Sequence, residues 1–355
     1  MSLQYIKAAN LSLERKSNTT AVAFSPRGTF LASVDLNGEI CVWCMEDYSL
    51  VHRISQNGNI PILSVAWMPP DEDSFVCGLG DGTIVYCSIT NTELVVSGVL
   101  AHSFPVDCLA VASSTRFASG ARCDIHVWKR MAQGIGSSPW IEEARIPAPS
   151  VARSSQEDLV VTSLHWLAPD QSQLLVTFMN HGIHFIDAVT WAYIRSINVA
   201  GQIAHASLAS NRRLLAVSNM INGFDVYPLD SKGPVRSFSH PVAPNALRAV
   251  HVRFIHGNNA LLGGNAMGNV HLWDVDTSEK LARLTLGGMC LILQHCSTLT
   301  RSLSDHDMVI AVDVRVSTLP AFVARRLAIL RRSTTALETR STSRQALLMV
   351  RRRQK

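Results

Sequence analysis

GNVHLWDV, residues 268–275, alternates apolar Val270 and Leu272 with polar Asn269 and His271, then breaks step at Trp273 and Asp274 before Val275. Alternation at period two marks a strand with one buried face. The break puts a large ring out of phase, as if Trp273 needed a pocket of its own. One strand fixes no fold, so the informative question is whether the pattern returns.

It does. NGEICVW ends at Trp43, DGTIVYC at Cys87 and RCDIHVW at Trp128; HGIHFID puts Ile186 in the same slot, and INGFDVY ends at Tyr227. The intervals on to Trp273 are 44, 41, 58, 41 and 46 residues. Each unit also carries an earlier pair of apolar strands joined by a polar turn, as in AVAFSPRGTFLAS, SVAWMPPDEDSFVCG and VRFIHGNNALLGG. YSLVHRI, TELVVSGVL and EKLARLTL supply fourth strands. Six clear repeats of four strands at a period of about 40–45 predict an all-β, radially repeated fold.

The period and strand order resemble the WD-repeat family of β-propellers over roughly residues 9–288. In that family a loop His, a turn Asp and the strand Trp share a hydrogen-bond network tying a blade together. The resemblance maps these structural positions onto Trp43, Asp81, His102, Trp128, Tyr227, Trp273 and Asp274, and no unit keeps the complete set. Trp273–Asp274 is the one intact Trp-Asp dipeptide. Blade two has Asp81 but Cys87 in the Trp slot; blade three keeps His102 and Trp128 but has Arg122 at the turn; blade one has Asn37 with Trp43. Trp273 reads as a core aromatic between blades and Asp274 as a polar strand end.

Propellers hide sheet edges by closing the ring. The pattern predicts a seventh, imperfect blade with ANLSLER (residues 9–15) as its outer strand, MCLILQH as its first strand and MVIAVDV (308–314) as its second. RVSTLPAFV is a poor third strand, because Pro320 removes a ladder donor. The propeller is expected over residues 1–313, followed by a basic Arg/Ser/Thr-rich extension at 314–355. That extension holds ten Arg and one Lys against Glu338, a formal +10, leaving −5 on the rest of the chain. Arg325, Arg326, Arg331, Arg332, Arg351, Arg352 and Arg353 are its basic clusters. Three readings of them stand side by side: a solvated tail, an anionic membrane or nucleic-acid contact, and a nuclear-import signal.

Chemistry is sparse. Phosphate-binding Gly-Lys loops, nucleophile elbows and His-Glu-x-x-His pairs are missing from the sequence. Cys41-x-x-Cys44 lies in a strand and has no second pair beside it, which argues against zinc. No cofactor, metal or small-molecule substrate is expected. Neither a secretory signal nor an apolar run of spanning length stands out, so an intracellular, cytoplasmic protein is expected, with a nuclear one as the alternative. The resemblance implies a non-enzymatic scaffold for peptide or protein partners. Its expected docking rim comprises His102 to Pro105, the insertion at 147–158 and His240 to Asn245, with His102, Phe104, Pro105, Arg153, His240 and Asn245 as contacts. The rival from another class is a hydrolase or lyase at the central channel, which requires two or more convergent His, Asp or Glu side chains there.

Overall fold

The computed structural model describes residues 4–11, 19–55, 58–131, 139–149, 159–167, 170–221, 223–239, 250–264, 269–285, 289–296, 309–315 and 346–352. They form seven four-stranded antiparallel sheets, six of which are meanders of consecutive strands. Blade one runs Thr19–Phe24, Phe30–Asp35, Glu39–Cys44 and Leu50–Ser55. Blade three runs Cys108–Ser113, Arg116–Ala121, Asp124–Arg130 and Trp140–Ile146. Blade six runs Val252–Ile255, Ala260–Gly264, Asn269–Asp274 and Lys280–Thr285. The first strand of each sheet meets the first strand of the next around a closed circuit. Those first strands are therefore the inner wall of a ring, and the fold is the β-propeller that the period predicts.

The burial pattern explains why the repeat is legible. Second strands such as Ser74–Leu79 are buried along their whole length, which requires an unbroken run of apolar and small residues. Fourth strands such as Leu50–Ser55 are largely exposed and carry the charges that blunt a free edge. No common core exists among the described residues: each neighbouring pair of blades, from one–two through five–six, shares its own apolar cluster. Stability is built interface by interface, as in other repeat folds.

The broken alternation also has a structural cause. The third and fourth strands slip register between Val42 and Trp43, Val127 and Trp128, Phe185 and Ile186, and Leu272 and Trp273. A β-bulge re-aims the side chain that follows it. In blade six it lets Trp273 pack against Phe224 and Phe238 of blade five, with ring centroids 5.5 and 6.0 Å apart.

The seventh sheet orders its strands Gln4–Leu11, Ala346–Arg352, Val309–Arg315 and Met289–Cys296. Its first two strands match expectation to within a residue. The outer strand is Gln4–Leu11 and not residues 9–15, because it pairs along the seven residues of its partner, from Gln4 opposite Arg352 to Leu11 opposite Ala346. The third strand is Ala346–Arg352. It has no proline, so every residue can donate to the ladder, unlike RVSTLPAFV. Beyond Arg315 the latter lies outside the described residues. The sheet thus draws strands from both sides of position 314, and Arg351 and Arg352 belong to one of them.

A meander places the turns between second and third strands on the same rim as the links from one blade to the next. The remaining turns occupy the opposite rim.

Candidate partner-binding rim

The link Ala101–Asp107 passes from blade two to blade three on the first of these rims. Its backbone is anchored on the blade-two turn: Ala101 N and His102 N both donate to Gly82 O, at 3.1 and 3.0 Å, and Val106 N donates to Leu79 O at 3.0 Å. Gly82 adopts φ +94°, and a Cβ there would fall 1.9 Å from His102 O. Only glycine lets the turn and the link approach so closely. Ser64 Oγ donates to Val106 O at 2.8 Å, fastening the far end of the link to the inner wall.

Blade three then locks the link from inside. His102 is 5% exposed, and its Nε2 lies 2.7 Å from Ser119 Oγ. Trp128 Nε1 donates to the same oxygen at 2.9 Å. One hydroxyl thus accepts from the indole and can donate to the imidazole. The turn Asp of the family's network is replaced by Arg122, and His102 Nδ1 has no hydrogen-bond partner. The His126 ring lies against His102, with centroids 4.1 Å apart and the planes tilted by 32°. Burial, with His126 and Arg145 adding to it, pushes His102 down to about 3, so its imidazole is neutral near pH 7. Burial also lowers His126, although Glu142 opposes the shift. Glu142 Oε2 lies 3.2 Å from His126 Nδ1 but out of line for a hydrogen bond.

His102 therefore positions the link and does not face a partner itself. Beyond it Ser103 is exposed, Phe104 and Pro105 are half-buried, and the Arg122 guanidinium lies 5.1 Å from the Phe104 ring centroid. Phe104, Pro105 and Arg122 form a small amphipathic feature on a fixed backbone.

The other structural positions divide by blade. In blade one Trp43 Nε1 donates to Ser33 Oγ at 2.9 Å, half of the blade-three network. In blade six the matching position is Gly263, and a Cβ there would come within 2.2 Å of the Phe224 ring. An aromatic ring thus occupies the place of the serine. Tyr227 is buried in the cluster between blades four and five. Asp81 caps its turn by accepting from Thr83 N at 2.9 Å. Asp274 does more than end a strand: its Oδ1 accepts from Asp276 N, Thr277 N and Thr277 Oγ1, as Asp187 does for Val189 N, Thr190 N and Thr190 Oγ1. These backbone bonds hold both carboxyls below the usual carboxylate value. Sequence reasoning missed Ser119 and two further caps, Asp35 and Asn219, each bonding the amides two and four residues on. The available signal was an Asx four residues before the third strand.

At the channel, His205 and His251 bring two imidazoles together, with ring centroids 4.4 Å apart. This meets the minimum convergence that the hydrolase reading requires, but no carboxylate occurs on any inner strand to orient or relay a proton. No group of three His, Cys, Asp or Glu suited to a metal occurs among the described residues. Cys41 is buried, and desolvation pushes its thiol up to about 12, away from reactivity.

Arg153, His240 and Asn245 lie outside the described residues, as do residues 150–158 and 240–249 as a whole, Arg325, Arg326, Arg331, Arg332 and Arg353. Among the described residues no helix is long and apolar enough to cross a membrane.

The family model described as WD domain, G-beta repeat matches residues 11–44, which contain the first three strands of blade one through Trp43 and Cys44. No curated protein matches the chain. A closed ring of four-stranded blades makes this chain a β-propeller, and its first blade matches the WD repeat.

Proposed function

We propose that this protein is a non-enzymatic scaffold that binds a peptide or protein partner on the rim bearing Ala101–Asp107. The observation carrying the reading is preorganisation. The link is held at both ends by backbone bonds to blade two and from within by His102 and Ser119. A partner that meets a loop already fixed has less conformational entropy to remove on docking. Phe104 beside Arg122 offers the aromatic and guanidinium groups that dominate protein interfaces. WD-repeat propellers generally serve as interaction scaffolds, which agrees with this use of the rim.

The test is affinity capture with wild type and a Phe104→Ala/Arg122→Ala variant. The expected result is loss of the captured partners by a variant that still unfolds cooperatively. Because Phe104 also packs on the edge of the cluster between blades two and three, Arg122→Ala alone, which spares that packing, is expected to weaken capture at an unchanged melting temperature. Retention of the same partners by the double variant overturns the assignment.

A further inference from the structure

The inner wall has an unusual charge balance. None of its seven strands, Thr19–Phe24, Ile62–Trp67, Cys108–Ser113, Val161–Leu167, Ile203–Leu208, Val252–Ile255 and Met289–Cys296, contains Asp, Glu or Lys. Its sole permanently charged residue is Arg253. Val252 and Phe254 pack with Ala216, Phe224 and Phe238 of blade five, so strand alternation turns Arg253 to the opposite face. Its Nε is buried without a hydrogen-bond partner, and no carboxylate pairs with it among the described residues. Burial lowers it to about 10, which leaves it charged at neutral pH. Arg253 is half-buried overall, with Nε enclosed and the ends of the guanidinium still accessible, so an unpaired charge lies open on a wall free of carboxylates and suits an anionic partner.

His165 stands in the same position two blades away. Leu164 and Trp166 pack toward blade three, which turns the imidazole the other way. One ring nitrogen bonds the Ala206 backbone, and Nε2 is buried without a partner. The Arg253 charge bears on this imidazole although the inner strand of blade five lies between them. Each also sits one residue before the aromatic of its inner strand, Trp166 or Phe254, and each is only half-buried, so both line the same level of the inner wall.

We propose that this stretch binds a small protonated oxyanion of the phosphate class, with Arg253 meeting its charge and His165 Nε2 accepting a hydrogen bond from its P–OH. Guanidinium donors fit tetrahedral oxyanions. A neutral imidazole that gives its Nδ1–H to Ala206 keeps only a lone pair at Nε2, so the ligand must supply the proton. Hydrogen phosphate carries one at pH 7, whereas sulfate is fully ionised. The site thus selects phosphate over sulfate, which simple charge attraction does not.

The test uses the intact chain, titrated with inorganic phosphate or with sulfate at matched ionic strength and pH 7. Binding is read by calorimetry, and for phosphate also by ³¹P line width. Wild type is expected to prefer phosphate at least tenfold, Arg253→Gln to lose binding, and His165→Leu to bring the two anions to parity. If Arg253→Gln does not fold, the anion preference of wild type against His165→Leu still decides. Equal binding of phosphate and sulfate by wild type overturns the proposal, as does no binding at all. Binding unchanged in Arg253→Gln also overturns it, and assigns the anion to the Arg-rich C-terminal residues.

Discussion

Blades three and six fill the same space by different physics. Blade three lacks the Trp-Asp dipeptide, with Lys129 after Trp128, yet it holds a polar relay from Trp128 through Ser119 to His102. Blade six has the intact Trp273–Asp274, yet Gly263 stands at the serine position and the Phe224 ring of blade five takes up the room. Retained letters and retained interactions are therefore separate properties. What blades three and six share is a filled interface behind a bulged third strand, and either a hydroxyl relay or an aromatic ring supplies it. Since apolar packing and buried polar networks are alternative ways to satisfy a core, the signature can erode while the ring persists.

The comparison predicts where the two blades respond alike and where they part. Trp128→Ala and Trp273→Ala should each cost about 4 kcal/mol in denaturant unfolding, because both remove a buried ring from an interface. A cost under about 1 kcal/mol at either site breaks the equivalence of the two slots. Gly263→Ser, which imports the blade-three residue into blade six, should destabilise by about 3 kcal/mol by driving a Cβ into Phe224. A neutral or stabilising result means that the Phe224 ring does not hold that space.

Acid separates the blades next. The value of about 3 for folded His102 lies below its ordinary 6.5, so on acidification the unfolded chain takes up a proton that the folded chain refuses. Its contribution is complete above 6.5 and is lost as pH falls from there toward 3, amounting to about 2 kcal/mol at pH 5. The drop in stability between pH 7 and pH 5 should shrink by that amount in His102→Gln; an identical drop in both proteins removes His102 from the account. The smallest effect is expected from Ser119→Ala, about 1.5 kcal/mol, because Trp128 Nε1 loses its acceptor inside the blade. Stability within a few tenths of wild type sinks the relay.

The ring was readable in the sequence because second strands buried on both faces demand continuous apolar runs, while the third strands of blades one, three, four and six betray themselves by a bulge before the slot residue. Two-residue and four-residue turn spacings are local, so strand order was legible as well. Long-range choices were not. That Ala346–Arg352 completes the seventh sheet depends on a pairing across more than three hundred residues with Gln4–Leu11, which no local pattern encodes. His102 was recognised as a structural position, but the same residue was expected as a contact. Its buried imidazole depends on Ser119, a serine whose importance appears only once Trp128, two residues past the His126 that stands opposite it, reaches back to its hydroxyl. Arg253 and His165 sit in unremarkable alternating strands, and only ring closure brings them over one channel.

The most direct test of partner binding at this rim compares two faces of a single blade. A photo-crosslinking residue is placed at Ser103, exposed on the link, and separately at Thr115, exposed on the turn at the opposite rim. Irradiation in extract, followed by mass spectrometry, should yield protein adducts from position 103 and none from position 115. Adducts from position 115 alone would contradict the account.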